Sequence, residues 1–260
     1  MIITDFAGIL KPDFRIAFEL KGAPRTQDFI GRDKELESMS QHLAPNAEPN
    51  RRKICVIHGL GGIGKTQLAI KYATTYEHLY TSVFWLEGKT ENSLLRSLVT
   101  IASRLPKDQV SIRDIKDTTS AEELKEIGQK VLRWFTLEGN HNWLLIFDNI
   151  DKTSTLASPS DSESLTTYDI KSYFPAGDRG SIVITTRLQR LQRLEFAKLI
   201  QLQKLNPTLS LKILENTSGK AMRLPENSDQ SSKDSEVENC DSGKLISRSI
   251  TLGWTIMSPP

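Results

Sequence analysis

Short apolar runs alternate with amphipathic stretches through the middle of this chain. Lys53–His58 (Lys53-Ile54-Cys55-Val56-Ile57-His58) is the first run. Its continuous apolar character predicts a strand buried on both faces. Residues 83–86, 143–147 and 181–186 repeat the signal, and 199–202 offers a shorter fifth strand. Between them, Leu68, Ala69, Tyr72, Ala73 and Tyr76 recur at helical spacing. Two more helical patterns cover 91–104 and 120–137. An earlier helix is expected over 33–43, with Leu36, Met39 and Leu43 on one face and Asp33 as its cap. Strands alternating with helices predict an α/β fold, a mostly parallel sheet with helices on both faces.

Some segments break the pattern. Residues 1–27 hold Pro12 and Pro24, show no clean period, and read as a leader or linker. Residues 44–52 are polar and read as a loop. Residues 153–167 are rich in Ser, Thr and Asp, which suggests a surface insertion. Residues 225–260 begin Ser-rich and acidic, a composition unable to bury much apolar area, so an irregular or disordered tail is expected.

Composition narrows the partners. A formal net charge of +2 over 260 residues gives no argument for nucleic acid or a lipid surface. No run approaches the ~20 apolar residues of a membrane-spanning helix, and the start lacks a signal-peptide pattern. The two cysteines, Cys55 and Cys240, form no disulfide framework. A cytoplasmic location is the resulting expectation.

The most informative stretch follows the first strand. Gly59-Leu60-Gly61-Gly62-Ile63-Gly64-Lys65-Thr66 fits G-x-x-x-x-G-K-[ST], between a strand and a helix. Such glycines let backbone N–H groups approach phosphate oxygens without obstruction. The next helix turns its positive end toward the same anion. Lys65 is expected to reach the β- and γ-phosphates, and to stand in solvent otherwise. Thr66 is expected to place its hydroxyl on Mg²⁺.

Two later strands end in polar residues. Leu144-Leu145-Ile146-Phe147-Asp148 is an apolar run closed by a carboxylate, suited to hold Mg²⁺ beside the phosphates. Gly180-Ser181-Ile182-Val183-Ile184-Thr185-Thr186-Arg187 ends in an arginine able to sense a γ-phosphate. Parallel strands deliver such ends to one crevice. His58 and His141 border strands without a catalytic constellation and read as packing or surface residues.

These three motifs, in this order, resemble the NB-ARC family of STAND signalling P-loop NTPases, in a variant similar to fungal nucleotide-binding receptors. Phe29-Ile30-Gly31-Arg32 resembles that family's stretch before the P-loop, and Phe84-Trp85-Leu86 its second strand. The resemblance covers roughly residues 28–216. It implies a three-layer P-loop sandwich over 28–205 and part of a small helical domain over 206–224. It also implies an ATP or ADP cofactor with Mg²⁺. Ile30, Gly31 and Arg32 would line the adenine. Gly59, Gly61, Gly62, Ile63, Gly64, Lys65, Thr66 and Gln67 would hold the phosphates, and Thr66 and Asp148 the metal. Asp148 and Arg187 would act at the γ-phosphate. No guanine-reading Asn-Lys-x-Asp motif occurs, which also favours adenine.

Two departures temper what the family implies. Many members place a second acid at the position of Asn149, and an amide is no general base. The family's Gly-Leu-Pro-Leu motif and winged helix are not found before Pro260. The expected activity is therefore that of a nucleotide-dependent signalling switch with slow or no hydrolysis. Alternatives are a turnover P-loop ATPase and a truncated, non-signalling fragment or decoy. The isolated chain is expected to be monomeric, with any protein partners acting through other domains.

Overall fold

The computed structural model describes residues 3–4, 10–11, 13–25, 29–45, 51–110, 120–155, 167–205 and 207–218. The body of the 153–167 insertion and the expected irregular tail lie outside these residues. Along the chain come β1 (Ile3–Thr4), β2 (Leu10–Lys11), α1 (Asp33–Leu43) and β3 (Lys53–His58). Then follow α2 (Lys65–Tyr76), β4 (Ser82–Glu87), α3 (Glu91–Ala102), α4 (Ala121–Trp134) and β5 (Trp143–Asp148). The last are β6 (Ser181–Thr186), β7 (Ala197–Gln201) and α5 (Pro207–Ser218).

β1 and β2 form a small antiparallel pair of their own. The main sheet has the order β4-β5-β6-β3-β7, with every pairing parallel. Alternate residues of each strand feed opposite faces. Leu144 and Ile146 of β5 join Cys55, Ile57, Trp85 and the buried faces of α1 and α2. Leu145 and Phe147 join Phe84, Ile182, Ile184 and the buried faces of α3 and α4. Both faces are dry, which is why these strands read as unbroken apolar runs. Cys55 is fully buried, and burial pushes its thiol up to about 12.

The edge against α4 is built on aromatics. Trp134 meets Phe14 at 5.6 Å and Phe135 at 5.1 Å between ring centroids, both edge to face. Phe135 meets Trp143 at 5.2 Å, and the Trp143 indole N–H donates to the Phe135 carbonyl at 3.0 Å. Phe14 comes from the stretch expected as a leader, yet it is only 5% exposed. The Arg104 guanidinium fastens the same stretch, donating to the Glu19 and Ala17 carbonyls at 3.0 and 2.6 Å.

Local differences from the sequence expectation have local causes. β7 begins at Ala197, because it pairs with β3 from Ile54 onward. α3 stops at Ala102, where the Arg104 N–H turns back to the Ile101 carbonyl at 2.8 Å. Asp33 does not cap α1: it is the first helical residue, and Arg32 takes the cap position at φ 68°. Thr153 and Thr155, at the root of the expected surface insertion, are buried. The Thr153 hydroxyl closes that root by donating to the Tyr168 carbonyl at 2.7 Å. Among the described residues no helix is long and apolar enough to cross a membrane.

Candidate functional site

The strand order decides what meets at the carboxyl edge of the sheet. β6 lies between β3 and β5, so the Gly59–Gly64 loop, Asp148 and Thr185-Thr186-Arg187 end side by side. The loop enters α2 through Gly64, at φ +97°. A side chain there would meet no neighbour, so the backbone angle alone calls for glycine.

Lys65 departs from the expectation of a solvated ammonium. Its Nζ donates to the Gly59 carbonyl at 2.9 Å and the Leu60 carbonyl at 2.8 Å. Burial is the main influence that lowers its pKa; Asp151 opposes this, Arg187 adds to it, and Asp148 opposes it.

Asp148 ends β5 with only 5% of its surface exposed. Its Oδ1 accepts from the Thr66 hydroxyl at 2.9 Å and from the Thr185 hydroxyl at 2.6 Å. Burial raises its pKa most, and the bonds from Thr185 and Thr66 pull it partway back. A buried carboxylate beside a hydroxyl is an oxygen pair that suits Mg²⁺, whose other ligands are commonly phosphate and water. The described residues hold no cluster of three or more acidic, His or Cys side chains.

Asn149 takes φ 65° directly after Asp148, and the chain runs on beside β6, with the Ile150 N–H donating to the Thr185 carbonyl at 2.9 Å. The Asn149 N–H donates to the Thr185 hydroxyl at 2.9 Å. This course brings Asp151 beside Arg187. Asp151 Oδ1 accepts from the Arg187 backbone N–H at 2.7 Å, and Oδ2 from Arg187 Nε at 2.5 Å. The Arg187 side chain also reaches the P-loop, since a Cβ on Gly61 would lie 3.8 Å from its Nη1. His58 approaches the Arg187 carbonyl at 3.2 Å through Nε2, a bracing contact consistent with a packing role.

The Phe29-to-Arg32 stretch borders the same edge. The Arg32 guanidinium is committed to Glu35 at 2.9 Å and to the Gln203 carbonyl at 2.6 Å. Gly31 has φ +75°, and a Cβ there would come within 3.3 Å of Leu209 on α5. α5 therefore leans on this stretch and begins a second wall. Ile30 is partly buried in that stretch, and Gln67 stands, also partly buried, in the first turn of α2.

The NB-ARC domain profile matches residues 32–223, well over half of the chain. The chain belongs to the NB-ARC family. It is also similar to a nucleotide-binding leucine-rich repeat (NLR)-like protein of Hyaloscypha variabilis, at 25% identity over 214 residues. That match takes in 80% of this chain and 20% of the relative, so the chain spans about a fifth of the relative's length. Among solved structures, a STAND protein with a tetratricopeptide repeat sensor from Pyrococcus horikoshii aligns at TM-score 0.46 and 16% identity. That alignment covers 94% of this chain and 35% of the other. Cdc6p from Pyrobaculum aerophilum aligns at TM-score 0.46 and 16% identity, over 83% of this chain and 54% of the other.

Within this NB-ARC domain, three neighbours of the site escaped the sequence reading. Thr185 was seen only as part of a motif, yet it bonds Asp148 directly. Glu87 ends β4 in register with Asp148, and burial is the chief influence raising its pKa. Gly88 follows, its N–H donating to the Asp148 carbonyl at 2.8 Å. A Cβ on Gly88 would sit 1.9 Å from Ile150 Cδ1 and 3.1 Å from the Asp148 carbonyl oxygen, so a side chain there would require Ile150 to move. A polar residue closing the neighbouring apolar run was the available signal for Glu87.

Proposed function

We propose that this NB-ARC module binds ADP and ATP with Mg²⁺ and that the bound nucleotide sets the state of a signalling switch. The observation that carries this reading is the joint of Thr66, Asp148 and Thr185 beside Lys65. A hydroxyl from the P-loop helix, a buried carboxylate and a cation converge at one sheet edge. In this reading the Gly59–Gly64 loop and Gln67 follow the phosphates, and Lys65 exchanges its two carbonyl partners for phosphate oxygens. Thr66 and Asp148 would hold Mg²⁺, which would offset phosphate charge when bound. Arg187 answers to the γ-phosphate. Ile30, Gly31 and Arg32 border the adenine, Arg32 through its backbone because its side chain is engaged elsewhere.

Slow hydrolysis is part of the proposal. The position after Asp148 carries an amide, and Asp151 is tied to Arg187 through both oxygens. Neither arrangement offers a ready base for water. A switch needs only that two ligands favour two states differently. The similarity to an NLR-like protein supports a cytoplasmic role in innate immunity, with effector and sensor domains as protein partners. Steady-state phosphate release from ATP tests the point. The switch reading expects turnover far below the usual enzymatic median of about 10 per second; sustained turnover at that level would favour an ordinary ATPase.

A further inference from the structure

Asp151 makes none of the nucleotide contacts proposed above. It stands two residues beyond Asn149, whose φ is 65°, and beside Arg187 at the end of β6. Its side chain keeps 14% exposure against 60% for Arg187, and both of its oxygens bind Arg187. Among the charges acting on Lys65, Asp151 outweighs Asp148. One carboxylate therefore holds the guanidinium that the third phosphate of ATP would also seek.

We propose that Asp151 sets the ATP-to-ADP preference of the site, acting as an internal anion that competes with a third phosphate for Arg187. The proposal rests on the nucleotide-binding reading above. Two anions near the same cations repel each other, and a guanidinium bonded to one at Nε is not fully available to the other. ADP lacks the third phosphate and leaves the Asp151–Arg187 pair intact. ATP binds only by drawing Arg187 from its partner, so part of its extra charge attraction is cancelled. Asp151 is a positioning residue here: it acts through Arg187.

The substitution that isolates this role is Asp151→Asn. Asn keeps an oxygen for the Arg187 backbone N–H. Its amide NH₂ then faces Arg187 Nε, donor against donor, which releases the guanidinium. The purified chain is titrated calorimetrically with ADP and with a non-hydrolysable ATP analogue, both with Mg²⁺. Wild type, Asp151→Asn, Arg187→Gln and the double variant are compared. Asp151→Asn is expected to raise analogue affinity relative to ADP by about fivefold or more, the lower range of site couplings. Arg187→Gln removes the same pair from the other side and should lower that ratio. In the Arg187→Gln background the gain from Asp151→Asn should shrink. An unchanged ratio, equal losses for both ligands, or an equal gain in both backgrounds would overturn the proposal. Lys65→Ala runs alongside as the arm for the underlying reading. A wild-type chain that binds neither ligand would fail that reading first, and the proposal with it.

Discussion

Thr66 and Asp148 lie 82 positions apart and meet through one hydrogen bond, from the Thr66 hydroxyl to Asp148 Oδ1 at 2.9 Å. Thr66 stands in the first turn of α2, directly after the P-loop, and Asp148 closes a strand two places away in the sheet. The bond therefore ties the loop to the strand end that would carry the metal. It also fixes where Lys65, the preceding residue, can reach.

Lys65→Ala should lower ADP affinity by about 10- to 100-fold, the range for losing charge-assisted hydrogen bonds. The fold should survive, because Lys65 contributes only two bonds to loop carbonyls at 2.9 and 2.8 Å. Fluorescent ADP binding measures the first and circular dichroism the second. Unchanged affinity in a folded variant would remove the P-loop from the account.

Asp148→Asn should stabilise the ligand-free fold while abolishing its response to Mg²⁺. Burial, the largest influence, holds the Asp148 carboxyl above its ordinary range. Folding thus favours the protonated form, and the ionised carboxylate weakens the fold near neutral pH. The stabilising contribution is fully present below the ordinary carboxylate pKa and is lost as pH rises through the raised folded value. Asn keeps an acceptor for Thr66 and Thr185 without the charge. The variant should melt above wild type near neutrality, and the gap should close as pH falls through the raised value. Mg²⁺ with ATP should raise the wild-type Tm only. Melting curves across pH check both halves; a variant that melts lower at every pH contradicts this.

Phe14→Ala should destabilise the domain by about 3–5 kcal/mol, as for other buried aromatics cut to Ala. Phe14 is 5% exposed and packs edge to face on Trp134. Urea unfolding gives the value. A loss near zero would mean that the stretch around Phe14 is merely an attached leader.

The parts legible in the sequence share a physical reason. β3, β5 and β6 are buried on both faces, so their runs are apolar without interruption. The P-loop is legible because phosphate binding demands glycines at fixed spacing. What escaped depends on folding geometry. Asp151 could not be aimed from sequence, because the turn at Asn149 decides its direction and asparagine adopts φ > 0 only in some contexts. Thr185 reaches Asp148 only because β6 neighbours β5, and strand order is not written in periodicity. Phe14 lies in a stretch with no regular period, so its place in the aromatic cluster carried no local signal.

Displacement of labelled ADP from the purified wild-type chain, in Mg²⁺, tests the central claim most directly. The claim is that this NB-ARC domain is an adenine-nucleotide module. Unlabelled ADP and ATP should both compete, and GTP should need at least about tenfold more, a difference of ~1.4 kcal/mol. Failure to bind labelled ADP at all, or displacement by GTP as readily as by ATP, would contradict it.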